Sequence, residues 1–405
     1  MSTQSPPDIQ NPTDDGAQPE SRKLPLLALL ALTTAVFITS LTETLPAGVL
    51  PAMSADLKVS ESAMGQSVTI YAIATALTAI PLTVATAAWR RKRLLLTAMV
   101  AFVVANTVTA LSTDYVLTMA GRFVAGVAAG LAWALLAGYA RRMAPVPLQG
   151  KAIAIVMTGI PVALSLGVPA GTFVGRVFDW WVAFLAMSVL AVIVIGWIAA
   201  TVPDYPGQRP EGRTRILGAL SVPGVTPVLF VTLVFVLAHT ILYAYVATYL
   251  DHLGMGDSTD RVLLVFGITS MLSIWIVGAR IHRQLRVLTI ASTLLVAVAA
   301  AVLGLLSGTH ALVYVAAALW GLGWGGVPTL LQTAVGDAGG EQADGAQAML
   351  VTLWNVAMAA GGIIGGLLLD GIGAESFPWT VLILLAPVLG VVVSARAHGF
   401  PARRG

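Results

Sequence analysis

The apolar residues of this chain come in runs long enough to cross a membrane, and this spacing constrains the fold more than any other feature. A helix rises about 1.5 Å per residue, so about 20 apolar residues span the roughly 30 Å hydrocarbon core of a bilayer. Short polar breaks separate twelve such runs. They lie at about residues 24–53, 64–88, 94–112, 117–140, 152–175, 180–202, 222–249, 260–279, 287–307, 311–335, 347–370 and 378–395. The pattern predicts an all-α membrane protein with twelve transmembrane helices in the lipid bilayer.

Composition excludes most other classes of protein. Of the 405 residues, 57% are hydrophobic and 10% charged, whereas soluble domains have about 45–50% apolar and about 25% charged residues. The net charge of +3 is too small to indicate nucleic-acid binding, and the absence of cysteine excludes disulfides and thiolate metal sites. The chain has no phosphate-binding glycine loop, no paired histidines at helical spacing and no Gly-x-Ser-x-Gly elbow. We therefore expect no ATP, cofactor, metal ion or enzymatic activity.

The basic residues predict the orientation of the chain. Of the 22 lysines and arginines, 18 fall in the two termini and in the loops that share their side of the membrane. The densest group is Arg90, Arg91, Lys92 and Arg93, between the second and third runs. Loops rich in Lys and Arg stay in the cytoplasm, so both termini are expected there.

Glycines repeat across the chain at a fixed offset. Adding 195 to Gly126, Gly130, Gly150, Gly167 and Gly171 reaches another glycine each time. The offset indicates two pseudo-symmetric six-helix bundles, in residues 24–202 and 222–397, joined by a cytoplasmic linker over 203–221. Residues 1–23, rich in Pro, Ser, Gln and acids, are expected to be a disordered cytoplasmic tail, with a second tail at 398–405.

Two charged residues lie within predicted spans at matching depth. Glu43 follows Lys23 by 20 residues, and Arg122 precedes Arg141 by 19. An intramembrane charge is a candidate functional site by default, so this pair is predicted to carry proton coupling. The alternatives are a purely structural ion pair, a Glu43 at the outer water boundary, and an Arg122 that extends outward from a span end.

Aromatic and polar side chains on four spans are candidates for a substrate cavity, because such cavities have aromatic walls and few polar groups. Trp133 shares a helix face with Arg122, while His239 with Tyr243, and Trp320 with Trp324, are spaced four residues apart. Gln332 and Asn355 are uncharged polar groups within spans. The alternative for each aromatic residue is simple packing between helices.

Small residues spaced four or eight positions apart mark the fifth and eleventh spans. The first set is Gly159, Gly167, Gly171 and Gly175, together with Pro169, and the second contains Gly362 and Gly366. Such spacing lets helices approach closely. We expect a packed, slightly pliable interface between the two bundles.

Three stretches resemble the major facilitator superfamily, and within it the bacterial twelve-span drug:proton antiporters that include sugar, purine-nucleoside and chloramphenicol exporters. Residues 42–60 resemble the first-span signature of that group, residues 121–126 (GRFVAG) its fourth-span basic motif, and residues 159–175 its fifth-span antiporter motif. The loop at residues 86–93 keeps the basic part of the family pattern and lacks its Asp and Gly.

The resemblance implies alternating access by two bundles, a cavity lined by spans one, four, seven and ten, and location in a bacterial cytoplasmic membrane. It also implies a proton-linked role for Glu43 and Arg122. The leading hypothesis is a secondary exporter that exchanges protons for a small organic molecule such as a drug, sugar or nucleoside. The alternatives are a symporter or facilitator that imports a neutral nutrient, and a non-transporting membrane protein.

Overall fold

The computed structural model describes residues 24–145, 148–207 and 220–401 of the chain. Within these ranges the chain forms twelve helical segments, which confirms the predicted all-α architecture. They are α1 (Leu26–Leu57), α2 (Glu61–Ala85), α3 (Arg91–Leu111), α4 (Tyr115–Met143), α5 (Gln149–Val177), α6 (Trp180–Thr201), α7 (Val225–Ala244, continued as Val246–His252), α8 (Gly256–Ile281), α9 (Arg283–Leu306), α10 (His310–Gly339), α11 (Ala343–Gly371) and α12 (Ser376–Ser394). The predicted tail over 1–23 and most of the linker lie outside the described residues.

Length and composition explain why these segments span a membrane. In the described part of the chain, eleven helices are long and apolar enough to do so. The remaining segment, α2, is 25 residues long and carries several polar side chains near its start, including Glu61, Ser62 and Gln66. Because that part of α2 packs against α11, its polar groups face protein rather than lipid.

The helices divide into a first bundle, α1–α6, and a second bundle, α7–α12. In the first bundle α2 and α3 pack on α4, and α3 also packs on α6. In the second bundle α10 packs against the α8–α9 unit, while α7 contacts both α11 and α12. The main contacts between bundles join α2 to α11, α5 to α8 and α1 to α7.

The glycine repeat corresponds to equivalent close contacts in the two bundles. A side chain at Gly126 would collide with the Tyr71 carbonyl, and one at Gly321 with the Phe266 carbonyl. Each residue of the second pair is 195 positions after its counterpart in the first. This repeated crossing confirms the two pseudo-symmetric halves.

Several helices are broken within the membrane. A π-helical turn over Ala163–Gly167 interrupts α5 between Pro161 and Pro169, and α7 is interrupted at Tyr245. The break in α10 comes at Gly325 and Gly326, just before Pro328. Proline has no N–H and frees a carbonyl one turn earlier, so prolines favour such interruptions where neighbours satisfy the freed group.

The two bundles meet at one end of the molecule. We call the end with the α1–α2, α5–α6, α7–α8 and α11–α12 turns the far end, and the end nearer the chain termini the near end. At the far end, Ser62 donates to the Asp370 carboxylate at 2.6 Å and Arg176 pairs with Asp260 at 3.2 Å. Thr248 donates to Glu61 across the same gap. The molecule is therefore closed at its far end.

Candidate functional site

Arg122 is fully buried in the first bundle and bonded to backbone rather than to a carboxylate. Its Nη1 donates to the Thr42 carbonyl at 2.7 Å and its Nε to the Ser67 carbonyl at 3.4 Å. The guanidinium also lies over the Tyr71 ring, 5.0 Å from the ring centre. Burial of such a charge requires compensating bonds, and α1 and α2 supply them here.

Glu43 lies next to this guanidinium without forming an ion pair. It is half-buried on α1 and within electrostatic range of Arg122, Tyr71 and Tyr243. Among the described residues, no carboxylate oxygen lies within 4.0 Å of the Arg122 guanidinium. The two predicted charges therefore lie within electrostatic range of each other and form no ion pair.

The structure gathers four predicted aromatic residues of the second bundle into one cluster, which we call the aromatic chamber. His239 stacks on Trp324, with ring centres 3.5 Å apart and planes 6° from parallel. The Trp320 indole N–H donates to His239 Nδ1 at 3.1 Å, and Tyr243 stacks on His239 at 5.1 Å. Because Nδ1 accepts this bond, the imidazole is neutral and carries its proton on Nε2.

Among the buried polar side-chain atoms that have no partner in the described residues, two belong to groups within electrostatic range of Glu43. They are Arg122 Nη2 and the Tyr243 hydroxyl, one in each bundle. An unsatisfied buried polar group costs about 1–3 kcal/mol, so each such group calls for an explanation. A ligand between the bundles would supply the missing partners.

The other predicted cavity residues form no hydrogen bond or ring contact with the chamber among the described residues. Trp133 is half-buried on α4 and packs in the first-bundle core, with no ring contact to His239 or Trp320 among the described aromatic pairs. Gln332 is exposed and its carbonyl accepts from Gln347, whereas Asn355 donates to Val351 within its own helix.

The predicted glycines serve two different interfaces. Gly159, Gly167, Gly171 and Gly175 face α1 of their own bundle, where a Cβ at Gly175 would lie 2.8 Å from Val49. Only Gly362 and Gly366 lie between bundles, against α2. These four glycines face α1 both before and after the π-helical turn, and their spacing alone does not specify which helix they contact. Pro169 is buried just after that turn.

The basic loop at the near end is tied to its own bundle. Arg90 Nε donates to Asp204 at 2.5 Å, the Lys92 ammonium to the Ala199 carbonyl at 2.7 Å, and the Arg91 N–H to the Tyr205 carbonyl at 2.9 Å. Arg93 is exposed. The hydrogen bond from Arg90 holds the pKa of the Asp204 carboxyl below its usual value.

Sequence reasoning missed several residues of the site. Thr42 accepts from Arg122 through its carbonyl and from Asn106 Nδ2 through its hydroxyl, at 3.1 Å. Phe266 completes the aromatic chamber 4.7 Å from Trp320. Thr42 stands beside Glu43, and Phe266 is the repeat counterpart of Tyr71, so adjacency and the 195-residue offset were the signals available.

Known proteins resemble the chain in both sequence and fold. Residues 32–347 match the model of the Major Facilitator Superfamily. A purine ribonucleoside efflux pump of Shigella sonnei (strain Ss046) is 28% identical over 349 residues, 85% of this chain and 88% of that protein. A chloramphenicol efflux pump of Mycobacterium tuberculosis (strain ATCC 25618 / H37Rv) is 29% identical over 368 residues, 85% of this chain and 86% of that protein.

Solved structures share the architecture. A bacterial homologue of the human lysosomal transporter Spinster, inward-facing and unoccupied, has a TM-score of 0.67 at 14% identity, covering 94% of this chain and 97% of that one. The human organic anion transporter MFSD10 also reaches 0.67, at 16% identity over 93% of this chain and 100% of that one. Together with the family match, this fold identifies the chain as a multi-pass membrane transporter, not an enzyme, that belongs to the Major Facilitator Superfamily.

Proposed function

We propose that the protein exports a small organic molecule from the cytoplasm in exchange for protons, by alternating access between its two bundles. Both relatives compared above are efflux pumps by name. With the basic near-end loops in the cytoplasm of a bacterium, the far end faces outward, and closure there corresponds to an inward-facing state.

The observation that carries this proposal is the carboxylate of Glu43, which lies within electrostatic range of the buried guanidinium of Arg122 and forms no ion pair among the described residues. A carboxylate that stayed in an ion pair throughout the transport cycle would remain deprotonated. One that is adjacent to a cation but not bonded to it can gain and lose a proton as its surroundings change. Glu43 would therefore carry the proton, and Arg122 would sense its charge.

The aromatic chamber is proposed as the substrate-binding wall. Its neutral His239 and its indole and phenol rings form an aromatic surface with few charges. A purine ring, the class in the name of the Shigella pump, suits such a wall. Trp133, Gln332 and Asn355 remain proposed contacts in other states of the cycle.

A transport assay in inverted membrane vesicles tests the proton-coupling role. Vesicles with an acidic interior should accumulate radiolabelled inosine or chloramphenicol through the native protein. Glu43→Gln should abolish this accumulation while exchange of internal for external label continues, because the amide cannot carry a proton. Glu375→Gln, which changes an exposed far-end acid, is the matched control.

Full accumulation in the Glu43→Gln variant would contradict the assignment of Glu43. Accumulation driven only by the opposite pH gradient would indicate an importer instead.

A further inference from the structure

A proline within α1 leaves one backbone carbonyl without its helical donor. Pro46 lies in the interior of this 32-residue helix. In a regular α-helix its N–H would bond to the carbonyl of Thr42, four residues earlier, but proline has no N–H. In the apolar interior of a membrane protein such a carbonyl must find another donor.

That donor is Arg122. Its Nη1 reaches the Thr42 carbonyl at 2.7 Å, which is the shortest bond the guanidinium makes among the described residues. The hydroxyl of the same threonine accepts from Asn106 at 3.1 Å and so holds this turn of α1 in place. Pro46, Thr42 and Arg122 therefore form one unit that joins α1 to α4.

We propose that Pro46 is a positioning residue. It keeps the Arg122 guanidinium bonded to the Thr42 carbonyl and so prevents an ion pair between Arg122 and Glu43. Glu43 follows Thr42 directly, and the guanidinium that bonds the Thr42 carbonyl still has an unpartnered Nη2. With an N–H at position 46 the helix would satisfy the Thr42 carbonyl by itself. Arg122 would then share its main acceptor with that N–H, and the weakened bond would let the guanidinium turn to the carboxylate of Glu43. The inference rests on the proposed coupling role of Glu43.

Carbodiimide labelling tests the position of the guanidinium without any transported substrate. Dicyclohexylcarbodiimide is membrane-permeant and adds to protonated carboxyl groups, whereas a carboxylate held by arginine is protected. The full-length protein in lipid vesicles at pH 7 would be treated, and Glu43 modification followed by mass spectrometry. Pro46→Ala should slow this labelling about tenfold, because a charge-assisted bond then stabilises the carboxylate.

Three further variants separate the missing N–H from other effects of proline. Pro51→Ala, in the same helix, supplies an N–H to the Ala47 carbonyl rather than to that of Thr42 and should label like the native protein. Pro46→α-hydroxyalanine, which has an ester oxygen in place of the N–H, should also label like the native protein. Arg122→Gln added to Pro46→Ala should restore fast labelling.

Native-like labelling of a folded Pro46→Ala variant would overturn the proposal. If that variant does not fold, slow labelling of the α-hydroxyalanine variant would overturn it as well, because the ring rather than the missing N–H would then be the requirement. Failure of Glu43→Gln to impair transport would refute the coupling role and leave these labelling results intact, so the two ideas fail separately.

Discussion

Single residues at the centre of this molecule show where a ligand is expected. The Tyr243 hydroxyl and Arg122 Nη2 are among the buried side-chain polar atoms that have no partner in the described part of the chain. They come from opposite bundles and both lie within electrostatic range of Glu43. An unsatisfied buried polar group lowers stability, and a ligand placed between the bundles would supply the missing partners.

Removing the Tyr243 hydroxyl should therefore separate stability from function. In Tyr243→Phe the ring stays stacked on His239, and no hydrogen bond within the described protein is lost. We expect an unchanged or slightly higher melting temperature and a KM for the labelled substrate that rises about tenfold, the value of one hydrogen bond. Thermal unfolding in detergent and vesicle uptake measure the two quantities.

His239→Phe is the informative comparison, because it removes the acceptor of the Trp320 N–H. That variant should lose stability as well as affinity. If Tyr243→Phe were strongly destabilised and its KM unchanged, the hydroxyl would have a structural role instead.

At the scale of elements, glycines set how closely the helices cross. The contact of Gly126 with the Tyr71 carbonyl recurs as that of Gly321 with the Phe266 carbonyl. The next pair, Gly130 and Gly325, repeats the pattern one turn further along α4 and α10. Because backbone atoms touch at these positions, a methyl group has no space unless the helices separate.

Substitution of Gly126 by alanine should push α4 away from α2. The new Cβ would overlap the Tyr71 carbonyl and lie 2.8 Å from the Ala74 Cβ. We expect a loss of about 1–3 kcal/mol in the free energy of unfolding, as for other overpacked sites. Titration with SDS in mixed micelles measures this change.

Gly138→Ala in the same helix is the matched control. No atom lies within 4 Å of the added methyl group there. Stability should stay equal or rise, since alanine favours helix by up to about 1 kcal/mol over glycine. Equal behaviour of the two variants would show that close crossing of α4 and α2 is not required.

For the whole molecule, polar bonds at the far end define the state of the transporter. Two hydroxyl groups, those of Ser62 and Thr248, each donate to a carboxylate of the opposite bundle, Asp370 and Glu61 respectively. These bonds must break before the bundles can separate at this end. Together with the Arg176–Asp260 ion pair, these bonds join the two bundles at the far end.

Loss of both hydroxyls should shift the molecule toward an opening at the far end. The chain contains no cysteine, so spin labels can be placed directly through Ala55→Cys and Asp257→Cys, at exposed far-end positions of the two bundles. In Ser62→Ala/Thr248→Val we expect the population with the longer distance to rise about tenfold, since each bond contributes about 0.5–1.5 kcal/mol. Double electron–electron resonance measures these distances.

The control removes one serine hydroxyl and one threonine hydroxyl from α12. Ser376 and Thr380 bond to carbonyls of their own chain segment at the same end. Ser376→Ala/Thr380→Val should leave the distance distribution as in the native protein. If the distance distribution shifted as much in this control as in Ser62→Ala/Thr248→Val, the contacts between bundles would have no specific role.

The sequence alone determined the class of protein, the twelve spans and the repeat. These properties depend on features that are local or periodic along the chain: apolar length against bilayer thickness, the placement of basic loops, and a constant offset between glycines. The family match and the helices confirm the fold. Proton coupling by Glu43 and Arg122 stays a prediction.

Only the tertiary structure decided which groups meet. Arg122 bonds the Thr42 carbonyl from 80 positions away, and the α5 glycines turn toward α1 rather than toward the second bundle. Which carbonyl a buried guanidinium finds depends on the rotation and spacing of neighbouring helices, and span length does not encode these. The physical reason is that burial is a property of a segment, whereas a hydrogen bond is a property of two segments placed in space.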